Sequence, residues 1–386
     1  MTSIINQNIK NLIIDKAKEL GFVKIGFAKY ELLENESGKL RKWLDLGYDS
    51  DMAWIEKGFE KRKDIRLIME DAKSVISLAY NYYTPFTHEE GKPKISRYAW
   101  GKDYHKVLKK KLNELCRLIE KTSPYPVTLL RNRNSPSGLA KEWTMSSLPL
   151  NKGGCPPACG TGRKDEGVKT KYYVDDGPVM DKVWAQKSGV GWMGKHTNII
   201  NPEYGSWLFL CEIITNIEFG NYDMPIEDLC GSCSLCISAC PTGAITEEYI
   251  VDANKCISYQ TIENKGEIPD SIDLSGWIFG CDICQDVCPY NSPKYNHITE
   301  DTSFYPKEEL LSPPSKGDLG GCVIQTSPNP LLAKEGTKGE LIIPKGFAAK
   351  AELEAITEEQ FNYAFADSPI KRTKFKGWRR NLERIK

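Results

Sequence analysis

The chain has 386 residues, enough for roughly two or three domains and a sizeable core. Lysine plus arginine and aspartate plus glutamate both number 52, so the net charge is zero; this argues against coating nucleic acid by bulk charge and leaves room for a local basic patch. An apolar fraction of 40%, with no run of about 18 apolar residues, describes a soluble globular chain without a membrane span. The N-terminal MTSIINQNIKNLIIDKAKEL lacks a signal peptide's basic start, apolar block and small-residue site, and has no twin-arginine pair, so a cytoplasmic protein is expected. In a reducing compartment its 13 cysteines point to metal or redox chemistry rather than to disulfides.

Ile9, Leu12, Ile13, Ala17 and Leu20 recur at helical spacing up to Gly21, and FVKIGFA then reads as a strand. Ala72 to Tyr83 reads as a buried strand, Tyr104 to Glu120 as an amphipathic helix with a basic outer face, and Trp207 to Ile217 as another strand. Cysteine-dense loops with short helices run from Cys230 to Pro289, and from Pro306 the chain reads as helical. Two stretches rich in Gly, Pro, Ser and Lys, about 127–170 and 313–345, interrupt this order and share vocabulary: SPSGLAKE with SPNPLLAKEG, and NKGGC with SKGDLGGC. They read as one element inserted twice, loosely packed and without a catalytic role. A metal pair at Cys155 and Cys159 is the rival reading, weakened because no second ligand pair sits nearby.

CGSCSLCISACP supplies Cys230, Cys233, Cys236 and Cys240 before a proline, the C-x2-C-x2-C-x3-C-P run of bacterial ferredoxins. A partial run follows at Cys281, Cys284 and Cys288, with Ile278 where a further cysteine would stand and Cys256 able to replace it. Crossing over as in two-cluster ferredoxins gives Cys230, Cys233, Cys236 and Cys288 for one [4Fe–4S] cluster and Cys240, Cys256, Cys281 and Cys284 for the other. A zinc module also uses C-x2-C pairs, but it does not require the trailing Cys-Pro or its repeat. Cys116 in a helix and Cys211 in a strand read as core residues. An electron carrier needs only about sixty residues, whereas more than two hundred precede the cysteines, so an acceptor and a substrate pocket are expected there.

Asp175 ends an aromatic strand before a Gly-Pro turn, where a carboxylate can point into a cleft and donate a proton if burial raises its pKa. The competing reading is that Asp175 or Asp176 caps a helix starting near Pro178. GVGWMGK, Gly189 to Lys195, permits close backbone approach to a ligand but is not a dinucleotide fingerprint. His105 and His196 are single histidines, more often satisfied residues than ligands.

VDDGPVMDKVWAQKSGVGWMGKHTNIINPEYGSWLFLCEI, CGSCSLCISACPTGAI, CISYQTIENKG and IFGCDICQDVCPYN together resemble the epoxyqueuosine reductase family. The resemblance extends through MAWIEKGFEKRKDIR, AKSVISLAYNYY and RYAWGKDYHKVLKKKL, and resumes at FADSPIKRTKFKGWRRN, leaving out only the two inserted stretches. It implies a cobalamin cofactor, two [4Fe–4S] clusters, and reduction of epoxyqueuosine to queuosine at the wobble position of tRNA anticodons. It also implies an external low-potential electron donor and a monomer. By position in the motif, the acid that protonates the departing oxygen is Asp175. Cobalamin contacts carried by motif are Arg62, Tyr104, Asp175, His196, Thr197, Ser206, Ser258, Gln260 and Thr261. The basic tail, Lys371, Arg372, Lys374, Lys376, Arg379, Arg380 and Arg384, offers tRNA phosphate contacts, or else is a solvated helix face.

The expected architecture is α+β. It comprises an α/β cobalamin-binding domain over 1–225, a bacterial ferredoxin-like module over 226–300, and a small helical, basic region over 301–386. A reductive dehalogenase pairs a similar cobalamin domain with two clusters, but usually carries a twin-arginine signal. A non-catalytic electron-transfer or cobalamin-handling protein is the third reading, and it needs no positioned acid.

Overall fold

The computed structural model describes residues 2–122, 167–307, 310–311 and 347–385. Of the two inserted stretches only 167–170 is among them; Cys155, Cys159 and 313–345 lie outside the described residues. The first part runs α1 (Thr2–Glu19), β1 (Lys24–Lys29), α2 (Glu34–Asp45), α3 (Trp54–Lys57), α4 (Phe59–Lys63), β2 (Ser74–Asn81), β3 (Lys94–Ile95) and α5 (Tyr104–Lys121). It continues with β4 (Thr170–Tyr173), α6 (Asp181–Lys187), β5 (Trp192–Met193), β6 (Ile199–Ile200) and β7 (Leu208–Thr215). The cysteine-rich part holds α7 (Leu235–Ala239), β8 (Ile245–Glu247), β9 (Ile250–Val251), α8 (Ile257–Ile262), β10 (Trp277–Phe279) and α9 (Ile283–Asp286). Then come α10 (Lys350–Glu354), α11 (Glu358–Ala364) and α12 (Lys374–Arg384).

The molecule is a mixed α+β structure around a four-stranded sheet of order β1-β2-β7-β4, in which every pairing is antiparallel. Alternation sends Phe27, Ile76, Leu78, Tyr80, Phe209, Cys211 and Ile213 to one face, where α1 brings Ile9, Ile13 and Ala17 and α5 brings Leu108, Leu112, Leu115, Cys116 and Ile119. Cys116 and Cys211 are thus core residues. The opposite face carries Ala28, Val75, Ala79 and Ile214 and is covered by α6 through Trp184 and Ala185. Gly26 on β1 permits that close approach, since a Cβ there would meet the Ser188 carbonyl oxygen at 2.0 Å.

A second core joins Ile95, Ala99 and Trp100 to α8, β10 and the C-terminal helices, with Trp277, Phe279, Phe361, Phe365 and Trp378 at its centre. Ile278, standing at the position of the missing cysteine, is buried here on β10. The parallel pairing of β3 with β10 ties the two parts together. Arg97 reinforces the junction, donating to the Phe86 carbonyl at 2.6 Å and lying over the Tyr83, Trp100 and Trp207 rings. Among the described residues no helix is long and apolar enough to cross a membrane.

Trp378 is wholly buried, and its indole Nε1 donates to the Leu353 carbonyl at 3.4 Å. Trp378→Ala should therefore cost about 3–5 kcal/mol in denaturant unfolding. A loss below about 1 kcal/mol would mean that α12 is not part of this core.

Candidate functional site

Asp175 lies just beyond β4, with φ at 52°, a left-handed conformation that aspartate tolerates better than most residues. Its Oδ2 accepts a 2.8 Å hydrogen bond from the Tyr104 hydroxyl. Tyr104 is buried at the start of α5, stacked on Phe209 at 4.3 Å, and α5 is capped by the Asp103 carboxylate. Burial and the neighbouring Asp175 drive the Tyr104 phenol well above its usual pKa, so it remains a donor. Neither Asp175 nor Asp176 caps the following helix: α6 begins at Asp181, after Met180, without a side-chain cap. Asp176 instead accepts from the Val174 N–H at 3.0 Å and pairs with Lys109. The capping alternative is therefore corrected; the turn places one aspartate on α5's phenol and the other on α5's lysine.

Lys182, in the first turn of α6, is exposed to solvent. Yet burial lowers its pKa, with Asp175, Cys284, Asp181 and Cys256 near enough to act on its charge. The side chain thus lines an open cleft, its ammonium donating to Asn198 Oδ1 at 3.1 Å. Tyr98 and Tyr104, 6.0 Å apart edge to face, stand beside Asp175, and Arg62 lies near Asp181. The cleft thus joins the end of β4 and the start of α6 to two cysteines of the ferredoxin-type segment.

Cys230, Cys233, Cys236 and Cys288 line one cavity of about 300 Å³, together with Lys195, His196, Ile200 and Tyr290. Among the described residues no three His, Cys, Asp or Glu side chains converge on a point that could hold a single ion. The four sulfurs stand around a space, which suits a cubane better than one tetrahedral metal. Burial first, then Cys284 and Cys256, raise the Cys281 thiol; burial first, then Cys256, with Cys236 and Cys240 also near, raises Cys284; and Cys240 acts on the buried Cys256. The Cys281–Cys284 loop is held down by Asp282, which accepts from Ser96 Oγ at 2.5 Å and the Arg97 N–H at 2.8 Å.

Two family models match the chain: "4Fe-4S double cluster binding domain" over 229–291 and "Epoxyqueuosine reductase QueG, DUF1730" over 62–130. An epoxyqueuosine reductase of Cellulophaga algicola is 36% identical over 378 residues, 97% of this chain and 97% of that protein. The chain belongs to the epoxyqueuosine reductase family. It is an oxidoreductase with a double-cluster domain. The fold also matches an epoxyqueuosine reductase solved with an epoxyqueuosine-modified tRNA-Tyr stem loop, with a TM-score of 0.68, 27% identity, and coverage of 98% of this chain and 80% of that one. A Bacillus subtilis epoxyqueuosine reductase, captured with an aspartate catalytic loop swung out of the active site, matches with a TM-score of 0.69, 27% identity and the same coverage.

In this epoxyqueuosine reductase the motif-carried residues separate by location. Tyr104 and Asp175 are hydrogen-bonded at the cleft, whereas Arg62 donates to the Ile55 carbonyl at 3.3 Å and lies near Asp181. His196 is on the wall of the four-cysteine cavity; its Nδ1 accepts from the Asn198 N–H at 3.2 Å and its buried Nε2 has no protein partner. Burial lowers its pKa to about 4, so the ring is neutral. Thr197 occupies the turn between β5 and β6 with φ at 66°. Ser206 Oγ donates to Gln285, Gln260 bonds Asn254 and Asn264, and Thr261 Oγ1 bonds the Ile257 carbonyl and the Gly280 N–H; these side chains are spent on internal contacts. Ser258 sits half-buried near the start of α8. The tail is not uniformly free: Arg372 pairs with Glu263, Arg379 donates to the Glu354 carbonyl, Arg380 donates to three carbonyls of the 260–266 segment, and Arg384 pairs with Asp270. Lys371, Lys374 and Lys376 are exposed, with no ion pair among the described residues. The sequence reading passed over Tyr98, Asp181, Lys182 and Glu212; KYYVDDGPVMDK contains two of them, but nothing in its spacing separates a cleft lysine from a surface one.

Tyr104→Phe should keep the fold and lose a hydrogen bond worth about 1 kcal/mol. The amides of 174–177 should then exchange with deuterium about fivefold faster. Unchanged exchange would show that the phenol does not hold this turn.

Proposed function

We propose that this protein reduces epoxyqueuosine to queuosine at the wobble position of tRNA, with cobalamin seated in the cleft and Asp175 as proton donor. The observation that carries the reading is the cleft floor itself. One lysine, Lys182, lies within electrostatic reach of both the Asp175 carboxylate and the thiols of Cys256 and Cys284. An acid and an electron relay therefore face the same space.

Cobalamin, when bound, supplies a strongly nucleophilic low-valent metal that no side chain can replace. The cleft fits it in kind: it is lined on one side by Tyr98 and Tyr104, with Arg62 and Lys182 near Asp181 and Asp175, and their charges suit a cofactor with amide and phosphate groups.

The protein's own work is positioning and proton supply. The Tyr104 hydroxyl aims the Asp175 carboxyl, and Asp175 gives a proton to the epoxide oxygen as its C–O bond opens. Cys240, Cys256, Cys281 and Cys284 hold the cluster beside the cleft. Cys230, Cys233, Cys236 and Cys288 hold the outer one, whose cavity mouth carries exposed Leu229 and Leu235, open to an external low-potential donor. Lys371, Lys374 and Lys376 give phosphate contacts to the stem loop. The related reductases solved with a tRNA stem loop and with a displaced aspartate loop support this assignment.

Three outcomes follow. With clusters and cofactor loaded, Asp175→Asn should lower epoxyqueuosine reduction on an anticodon stem loop by at least about a hundredfold while leaving stem-loop binding intact. Retention of full activity would remove Asp175 as the donor. Cys288→Ser and Cys284→Ser should each lower bound iron from about eight to about four per chain and perturb different clusters by electron paramagnetic resonance. Loss of the same cluster in both variants would break the crossed assignment. Changing Lys371, Lys374 and Lys376 together to alanine should weaken stem-loop binding and reduce its salt slope by about 2–3. An unchanged slope would take these lysines out of the interface.

A further inference from the structure

Two carboxyl groups under α6 leave three oxygens buried without a donor: Oδ1 of Asp181 and both Oε atoms of Glu212. Glu212 is fully buried on β7, where its register partners are Ser77 on β2 and Tyr173 on β4. Ser77 Oγ and the indole Nε1 of Trp184, one turn along α6 from Asp181, are also buried and unpartnered. Orphan polar atoms grouped in this way mark a place where water and a retained proton reside. Two facing carboxyls in a low dielectric cannot both ionise, and one shared proton makes a donor of one and satisfies the other.

The surroundings agree. Burial, then Asp181 and Asp175, push the Glu212 carboxyl well above the usual carboxylate range. Burial also raises Asp181, against the pull of Glu212 and of Arg62 on α4. The other groups facing the pair are Asp175 after β4, the Lys182 ammonium on α6, and the Cys211 thiol beside Glu212 on β7. Asp181 is partly open toward the cleft, whereas Glu212 is sealed. The pair therefore has an inner and an outer end.

We propose that the Asp181–Glu212 pair is a buried one-proton store that resupplies Asp175 once in every turnover. This rests on the reductase reading above. Converting an epoxide to an alkene consumes two electrons and two protons: both C–O bonds break and the oxygen leaves as water. The electrons come through the cluster domain from the external low-potential donor. Asp175 gives the first proton as the first C–O bond opens, and is left as a carboxylate. The pair passes its proton to Asp175 through water on the cleft floor. Asp175 hands it to the oxygen as the second C–O bond breaks and water departs. Solvent entering by Asp181 then refills the pair. Asp181 and Glu212 act through Asp175, so they are positioning and supply residues.

The shared proton can be read in the resting protein. Infrared difference spectra of the full chain in H2O and D2O at neutral pH should show a protonated-carboxyl C=O band that shifts on exchange and disappears in Glu212→Gln. In steady-state reduction of an epoxyqueuosine stem loop, Glu212→Gln should lower kcat on the order of a hundredfold with KM unchanged, and flatten the alkaline limb of the pH profile, where the wild-type pair loses its proton. Asp181→Asn, whose side chain is partly open, carries the same two readouts if Glu212→Gln folds poorly. Absence of the band in the wild type, or a wild-type kcat and pH profile in either variant, would overturn the proposal. A wild type that shows the band but reduces no epoxyqueuosine upholds the retained proton and contradicts the substrate reading instead.

Discussion

Helix α6 can lie flat on the central sheet only because position 26 has no side chain. A Cβ at Gly26 would stand 2.0 Å from the Ser188 carbonyl oxygen, at the C-terminal end of the helix. The other end of the same helix carries Asp181 and Lys182 to the cleft. Its middle packs Trp184 against Val75 and Ile214. Lifting the C-terminal end would tilt the whole seven-residue helix, because it has too few turns to bend. The cleft floor, the buried carboxyl pair beneath it and the distance to Cys256 and Cys284 therefore depend on one backbone-to-backbone approach.

The site sets two kinds of ionisable group against each other. Asp175 is held by a neutral phenol and is open to solvent. Glu212 is sealed between the sheet and α6, where its charge has no donor to accept from. Its raised pKa has a thermodynamic consequence: the folded state retains a proton that the unfolded chain releases at lower pH. The stability associated with that proton is full below the ordinary carboxylate range and is lost as pH rises toward the folded value. A fold chosen for stability alone would place an apolar residue there. The tyrosine, by contrast, is cheap to bury because its hydroxyl has Asp175 as an acceptor and its ring has Phe209 as a stacking partner.

The legible part of the sequence was the part whose chemistry is local. Cysteines spaced three apart and followed by a Cys-Pro four further on carry the two-cluster pattern within one short run, and the four-cysteine cavity gathers Cys230, Cys233, Cys236 and Cys288, the set expected for one cluster. The helices near residues 9–20 and 104–121 were visible from their apolar faces, and the strands near 24–29, 74–81 and 208–215 from their apolar and aromatic runs. What escaped were contacts between distant segments. Tyr104 and Asp175 are 71 residues apart in the chain, and Glu212 looks like any polar residue in an alternating strand until α6 covers it. The paired aspartates suggested a helix cap because Asx residues before a proline usually make one; here a left-handed Asp175 turns the chain first. The basic tail read as phosphate contacts or a solvated helix face, but Arg372, Arg380 and Arg384 bond carbonyls and carboxylates of the 260–270 segment and Arg379 the Glu354 carbonyl, leaving the three lysines outside. Charge counting sees the sign of a side chain and not its partner.

In the proposed mechanism one cleft brings the Asp175 acid and an electron relay to the same cofactor. Anaerobic reconstitution with iron, sulfide and cobalamin, followed by a metal count and a visible spectrum during reduction, tests it most directly. The account predicts about eight irons and about one cobalt per chain, with the bound cobalt reduced in step with the clusters and left unreduced in Cys284→Ser. Eight irons without bound cobalt, or cobalt that binds but takes no electrons from the clusters, would contradict it.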